Sequence, residues 1–394
     1  MRKLIPAILA AALLSGCPQE HDDTTSVSSG GNVAARDASS ARAGTGRVTA
    51  PVPAHGPGAA HGGVVTPQRT GPSDALAAAP LATAARLPTD DANADGRSDL
   101  TWYRIRGDRR DIAHWRMNGA AVLQTTGPTE VKLGTNGILN GDFDGDRRVD
   151  QTWFNSAAGN RQLTLARQNA SGGFELAYVA SIGDGWFPSA AEDLNADGKS
   201  DLVWLDRARG LIAYWLMSGT TVLGTRLYTV DTNNYDFLGT GDFDGDGRGD
   251  LLWLGHRTNG PLYIWRGRAD GNFDQLLVGD LSIAFEIQGT PDLNGDGRSD
   301  LVFTSYTNRT FSYWMMNGAS VQSGGVIPID RDRYEIAATG DYDGDGKGDI
   351  MWTTKSRFET ASLYQWRGRG DGSFDSLFVA YYDHGTWQTL NRYE

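Results

Sequence analysis

Beyond about residue 85 the chain breaks into short runs in which β-branched and aromatic residues alternate with polar ones, bounded by Gly, Asp and Asn. One stretch shows four such runs in succession: Leu301-Val-Phe-Thr-Ser, Phe311-Ser-Tyr-Trp-Met, Ala319-Ser-Val-Gln and Tyr334-Glu-Ile-Ala. A side-chain period of two over four to eight residues is the signature of half-buried strands. Four short antiparallel strands per unit of about 50 residues make a propeller blade, and a period of that length signals a repeat architecture. The pattern predicts an all-β chain.

The turns that open each unit are strongly acidic. Asp91-Ala-Asn-Ala-Asp-Gly-Arg-Ser-Asp99 returns as loops beginning at Asp142, Asp193, Asp242, Asp292 and Asp341, with spacings of 51, 51, 49, 50 and 49 residues. Each reads Asp-x-(Asp/Asn)-x-Asp-Gly-x-x-Asp, save that Arg147 takes the Gly place in the second. Positions 1, 3, 5 and 9 are Asp91, Asn93, Asp95 and Asp99 in loop 1 and Asp142, Asp144, Asp146 and Asp150 in loop 2. In loops 3 and 4 they are Asp193, Asn195, Asp197, Asp201 and Asp242, Asp244, Asp246, Asp250. In loops 5 and 6 they are Asp292, Asn294, Asp296, Asp300 and Asp341, Asp343, Asp345, Asp349. Position 7, which is Arg97, Arg148, Lys199, Arg248, Arg298 or Lys347, can add a backbone carbonyl. This donor set suits a hard cation, and Ca2+ accepts six to eight oxygens in flexible geometry whereas Mg2+ demands a stricter octahedron.

Position 12 separates these loops from an EF-hand, which needs a bidentate Glu there. Here it is Trp102, Trp153, Trp204, Trp253, Phe303 or Trp352, and the chain runs straight into a strand. Odd loops hold three carboxylates and even loops four, 21 in all, and such crowding opposes folding unless a cation offsets it. Six independent sites, each with a Kd of roughly 0.1 mM in about 1 mM Ca2+, would add roughly 8 kcal/mol. The Gly at position 6 supplies a positive φ. Arg147 in that place makes loop 2 the weakest of up to six calcium sites.

Ten of the 12 Trp fall at two blade positions, the second being Trp115, Trp215, Trp265, Trp314 and Trp366. Their size suits packing between blades. An aromatic also stands seven residues before most loops, at Trp186, Tyr235, Phe285 and Tyr334, and Trp387 stands seven residues before Glu394. The position before Asp91 is Ala84. Six blades are therefore expected, with seven as the alternative, and a C-terminal strand should complete the first blade and close the ring.

The motif Asp-Leu-Asn-Gly-Asp-Gly-Arg-Ser-Asp-Leu followed by Trp-Met-Met-Asn-Gly-Ala-Ser-Val resembles the FG-GAP or VCBS repeat family. The resemblance spans about residues 85 to 394 and implies a calcium-binding β-propeller. Members include the integrin α-subunit head and certain lectins, and many have seven blades.

The first fifth of the chain follows other rules. Arg2 and Lys3 precede an apolar run, Leu4 to Leu14, and then Leu14-Ser-Gly-Cys17. This is the layout of a signal segment over residues 1–16, too short to span a bilayer. It resembles a bacterial lipobox, which implies cleavage before Cys17, the only Cys, and its acylation. Pro18 after it points, by the same analogy, to an outer membrane. Residues 17–84 hold no aromatic, and nine of the 14 Pro precede residue 90. Such a segment buries too little to offset its ordering entropy and is expected to be a disordered tether reaching on the order of 45 Å. Residues 85–394 form the propeller.

Composition then narrows the function. The net charge of -12 excludes a basic nucleic-acid binder, and removing Arg2 and Lys3 takes it to -14. Six Ca2+ would bring that to about -2, so the acidity is mostly a metal-site inventory. Among 394 residues there is no Gly-x-Ser-x-Gly elbow, no His-Glu-x-x-His and no phosphate loop, and His114, His256 and His384 are isolated. A non-enzymatic binding or adhesion propeller, exported and lipid-anchored at the envelope of a Gram-negative cell, is the expectation. Membrane contact would come through the anchor alone. The ligand would be a glycan, stacking on loops after Tyr103, Tyr214, Tyr263 or Tyr313, or a protein. A scaffold of an envelope complex is the alternative, and an enzyme acting on polysaccharide a more distant one. Arg-Gly-Asp triplets at 106–108, 248–250 and 369–371 are compositional.

Overall fold

The computed structural model describes residues 90–389, except 107–108, 133–134, 158, 257–258, 356–359 and 384, together with residues 26–27. The expected signal segment, Cys17 and the remainder of the expected tether lie outside the described residues.

The described chain forms six antiparallel sheets arranged as a six-bladed β-propeller, and it contains no helix among those residues. Blade 2 comprises Thr135–Gly141, Asp150–Asn155, Gln162–Gln168 and Phe174–Ser181, from the axis outward. Blade 3 is Phe187–Glu192, Asp201–Asp206, Leu211–Ser218 and Thr221–Thr229. Blade 4 is Tyr235–Gly241, Asp250–Gly255, Asn259–Gly267 and Phe273–Ser282. Blade 5 is Glu286–Gly289, Leu301–Ser305, Thr310–Asn317 and Ser320–Pro328. Blade 6 is Tyr334–Gly340, Asp349–Thr354, Ala361–Gly368 and Phe374–Tyr382, and Ser26–Val27 pairs along its outer edge.

Blade 1 closes the ring. Its second, third and outer strands are Leu100–Arg106, Arg109–Asn118 and Ala121–Lys132, and its inner strand is the C-terminal Gln388–Thr389. Gln388 pairs with Tyr103 and Thr389 with Trp102. Tyr103 Oη also donates to Gln388 Oε1 at 2.5 Å, Thr389 Oγ1 donates to the Ala337 carbonyl at 2.8 Å, and the Arg104 guanidinium lies over the Trp387 ring. The expected clasp is present, and it touches blade 6 as well as blade 1.

Six apolar clusters lie one at each interface between blades. Blades 3 and 4 share Val203, Ile212, Tyr228, Trp253 and Trp265, and blades 6 and 1 share Met351, Leu363, Trp102 and Trp115. The other four follow the same plan. The two sets of Trp therefore pack between blades, but they do so as pairs within one blade: Trp102–Trp115, Trp204–Trp215, Trp253–Trp265, Phe303–Trp314 and Trp352–Trp366 have centroids 4.7 to 5.1 Å apart. Neighbouring strands put these rings side by side, and the pair then presses on the next blade. Blade 2 has Ala166 in place of the second Trp, and the cluster between blades 1 and 2 is the smallest, with Ile112, Trp153 and Ala166 at its centre. Trp186, Tyr235, Phe285, Tyr334 and Trp387 all join these clusters.

A candidate metal centre repeated six times

All strands of a blade are antiparallel, so the acidic loop and the hairpin between third and outer strands emerge on one face. Five acidic loops join inner to second strand, and loop 1 enters blade 1 from outside the sheet. The six loops share one internal bonding scheme. The position-1 carboxylate accepts the amides of positions 4 and 6 at 2.7 to 2.9 Å. The position-3 oxygen accepts the position-5 amide at 2.9 to 3.3 Å. The position-5 carboxylate accepts the position-7 amide at 2.9 to 3.0 Å. Each bond turns the backbone tightly about the side chains of positions 1, 3 and 5.

Wrapping this tightly needs two left-handed residues per loop. Position 6 has φ between +80° and +85° at Gly96, Gly198, Gly247, Gly297 and Gly346, and Arg147 adopts φ +69° in the same place. Position 4 is left-handed too: it is Gly in loops 2, 4, 5 and 6, but Ala94 and Ala196 hold φ +62° in loops 1 and 3. The Gly at position 6 was the expected one; the requirement at position 4 is additional, and its signal in the sequence is the Gly found there in four loops.

Position 9 is the buried bracket of the loop. Its Oδ2 accepts the position-2 amide at 2.8 to 3.1 Å. Its Oδ1 accepts an amide near the end of the third strand at 2.7 to 2.9 Å, as from Met117, Gln168, Met217, Gly267, Met316 and Gly368. Burial pushes the carboxyls of Asp99, Asp150, Asp300 and Asp349 up to about 7, and those of Asp201 and Asp250 up to about 8. The amides pull the other way and are outweighed. Burial likewise raises the position-1 groups Asp91, Asp142, Asp292 and Asp341, and lifts Asp193 to about 6.

Carboxylate oxygens of Asp142, Asp144 and Asp146 lie within 4.8 Å of one another, as do those of Asp242, Asp244 and Asp246, and of Asp341, Asp343 and Asp349. All three groups are even loops; the odd loops carry the Asn amide oxygen at position 3. An all-oxygen, multiply anionic donor set of this size can hold a hard divalent cation. The position-7 side chains were read only as backbone donors, yet they pair with position 5. Arg97, Arg148, Arg248 and Arg298 reach Asp95, Asp146, Asp246 and Asp296 at 2.6 to 3.2 Å, and Lys347 reaches Asp345 at 2.9 Å. Lys199 turns instead to Ser218 Oγ. That position 7 is basic in every loop was the available signal.

The loops are also joined to one another. The position-8 amide of each donates to the position-1 carbonyl of the loop before it: Val149 to Asp91, Ser200 to Asp142, Gly249 to Asp193, Ser299 to Asp242, Gly348 to Asp292 and Ser98 to Asp341, all at 2.6 to 2.7 Å. The last of these joins blade 1 to blade 6 and completes a circle of six bonds.

A profile of the FG-GAP-like repeat matches residues 193–253 and 292–352. Each match begins on the first Asp of an odd loop and ends on the Trp that follows the next even loop. Over these two segments the chain resembles FG-GAP-like repeats. No curated protein matches it. Among solved structures it is similar to a chain of a nidogen/laminin complex, with 14% identity, a TM-score of 0.42 and coverage of 74% of this chain and 95% of that one. It is similar to a Lactobacillus plantarum protein at 14% identity and TM-score 0.42, covering 73% and 83%. A mutant of AofleA from Arthrobotrys oligospora gives 10% identity and TM-score 0.43, covering 77% and 97%. At these scores the likeness extends to no ligand.

Other candidates fall where the blades need them for structure. Tyr214, Tyr263 and Tyr313 are buried, so these three expected sugar platforms are packing residues; Tyr214 Oη donates to the Gly271 carbonyl at 2.6 Å. His114 occupies the register place of Tyr214 and Tyr313, is buried against Phe174, and burial lowers its pKa to about 4. His256 bonds the Asn233 carbonyl and faces Asp236 at 2.7 Å, and His384 lies outside the described residues. Of the Arg-Gly-Asp triplets, 106–108 is only partly described and Asp250 is buried. In the triplet at 369–371, Arg369 pairs with Asp375 and Asp371 accepts from Ser373.

Proposed function

We propose that this chain is a non-enzymatic calcium-binding propeller, anchored at the cell envelope through an acylated Cys17, that binds a glycan or protein ligand or scaffolds an envelope complex. The propeller of FG-GAP-like repeats suits a binding or scaffolding role. The observation that carries the calcium reading is the circle of six like-bonded acidic loops, in three of which carboxylate oxygens converge within 4.8 Å of one another. A divalent ion at that point supplies the missing positive charge. Positions 1, 3 and 5, the position-7 carbonyl and the position-9 carboxylate would hold it. Cation binding would stiffen one whole face of the disc, and a tether with an anchor would hold that disc outside the cytoplasm, at the outer membrane or cell surface.

Tyr214, Tyr263 and Tyr313 are buried and offer no ring to a sugar, whereas Tyr178, Tyr306 and Tyr381 are exposed, so a glycan and a protein ligand are separated by experiment. The deciding experiment has two parts. Thermal melts in excess EDTA and in millimolar Ca2+ should differ strongly, and coincident melts would overturn the calcium reading. Co-purification of envelope proteins in Ca2+ but not EDTA would support the protein ligand. A glycan-array signal lost in EDTA would replace it with a lectin.

A further inference from the structure

Odd and even loops differ by one ligand, and the structure places a counter-charge beside the even ones. Position 3 is Asn93, Asn195 and Asn294 in loops 1, 3 and 5, and Asp144, Asp244 and Asp343 in loops 2, 4 and 6. Each Asn amide donates to the position-5 carboxylate at 3.1 to 3.2 Å, which draws the two ligands together without adding charge. A carboxylate in the same place repels its neighbour instead. The basic residue at position 7 is common to all six loops and does not offset the difference.

Arginines on the third strand of the even blades stand where that difference needs them. Arg167 Nη1 lies 3.8 Å from Asp144 Oδ2, and Arg266 Nε lies 3.8 Å from Asp244 Oδ2. Arg367 holds the corresponding place in blade 6 and feels the charge of Asp343. Each is in register with an acid on the outer strand: Arg167 with Glu175, Arg266 with Asp274 and Arg367 with Asp375. In the odd blades the corresponding pairs are Arg116 with Gln124, Leu216 with Gly224 and Met315 with Ser323, so no acid is present. Arg116 donates to Gln124 at 2.9 Å.

The outer acids alone do not account for these arginines. Asp274 is also met by Arg268 at 3.1 Å, and Asp375 is also met by Arg369. With the outer acid shared between two cations, part of the charge on Arg266 and Arg367 is left to face the loop.

We propose that Arg167, Arg266 and Arg367 are counter-charges that offset the fourth carboxylate of the even loops toward a divalent cation. This rests on the calcium reading above. Removing a unit charge about 6 Å from a divalent ion in a largely solvated setting changes its affinity by about tenfold. Calorimetric titration of the full chain with Ca2+ alone tests this, with far-UV circular dichroism as the check that each variant is folded. In R266M/R367M two of the sites should tighten about tenfold, and in R266K/R367K, which keeps the charge, they should not. Leu216→Arg places a cation beside an odd loop and should weaken one site by a similar factor. Unchanged affinities in the Met variant would leave the arginines with the outer strand alone. Weaker binding would make them positioning groups for Asp244 and Asp343. Either result overturns the proposal while leaving calcium binding intact, whereas a wild-type chain that takes up no Ca2+ overturns both.

Discussion

Replacing Arg147 by Gly isolates the backbone contribution of one loop. Arg147 holds φ +69° and its amide donates to Asp142 Oδ2 at 2.8 Å. At the equivalent Gly96, Gly198, Gly297 and Gly346 an added Cβ would meet nothing within 4 Å. The side chain is therefore accommodated, and what it costs is the left-handed backbone itself, about 1 kcal/mol for a residue with a Cβ. That free energy appears in one of two places. Should the loop hold this shape without a cation, Arg147→Gly raises the melting temperature in EDTA by about 2 °C. Should the shape form only around the ion, the gain appears as about fivefold tighter binding at one site. Removing a positive charge from an acidic loop would also tighten binding, so Arg147→Ala is the control: it deletes the charge and keeps the Cβ. Calorimetric titration and melts with and without Ca2+ on the three proteins separate the terms. If Ala gives the full gain of Gly, or if Gly gives none, the strain assignment is wrong.

Two further expectations follow from the same loops. Ala94→Gly and Ala196→Gly relieve φ +62° and should each stabilise the chain by about 0.5 to 1 kcal/mol in thermal melts, with no change in charge; a loss would show that the Cβ packs usefully. The buried position-9 carboxyls have folded pKa values of about 7 to 8, above the unfolded value near 3.9. The unfolded chain therefore binds fewer protons at these groups between pH 4 and 8, and their contribution to metal-free stability is fully present below about pH 4 and lost as pH rises through 7 to 8. Calcium requires the ionised form, so in saturating Ca2+ that loss should shrink or reverse; parallel melts in EDTA and Ca2+ between pH 5 and 8 that decline equally would refute it.

The fold was legible because its signals repeat. Loop spacing, the aromatic at position 12 and the aromatic seven residues ahead of the loop each recur in register, and each has a single structural meaning in the blades. What escaped the sequence were relations between units. Nothing in Val149 or Ser200 marks its amide as the donor to the preceding loop, because that bond is set by how blades stack. The partners of the tyrosines are of the same kind: Tyr214 packs beside Tyr228 and Phe273 and meets the next blade's hairpin at Gly271, a contact set by blade stacking. Blade 2 shows the reverse: Ala166 and Arg147 were visible departures, and they coincide with the smallest inter-blade cluster and a strained loop. The joint between blades 1 and 2 has the least apolar packing, whereas blade 2 meets blade 3 through a large cluster.

The number of blades has a physical reason in the alternation of two kinds. Odd blades end their third strand in a tight hairpin whose Gly119, Gly219 or Gly318 amide donates to the carbonyl of Tyr342, Phe143 or Phe243 in the preceding even loop. Even blades carry a longer hairpin that reaches back over the odd blade before it. Gly271 there accepts from Tyr214 and Tyr228, Gly372 sits against Tyr313, and Gly172 against Thr126. Two different interfaces thus alternate, and the repeating unit is a pair of blades about 100 residues long, the span that the FG-GAP-like matches begin anew at Asp193 and Asp292. A ring of such pairs closes only with an even number of blades. A seventh would set two blades of one kind side by side, and one interface would then lack either its hairpin amide or its long-hairpin contact. Six gives every odd blade an even loop before it for its hairpin amide, including the joint between the sixth blade and the first, where Ser98 and Gly119 bond to Asp341 and Tyr342 as their counterparts do elsewhere.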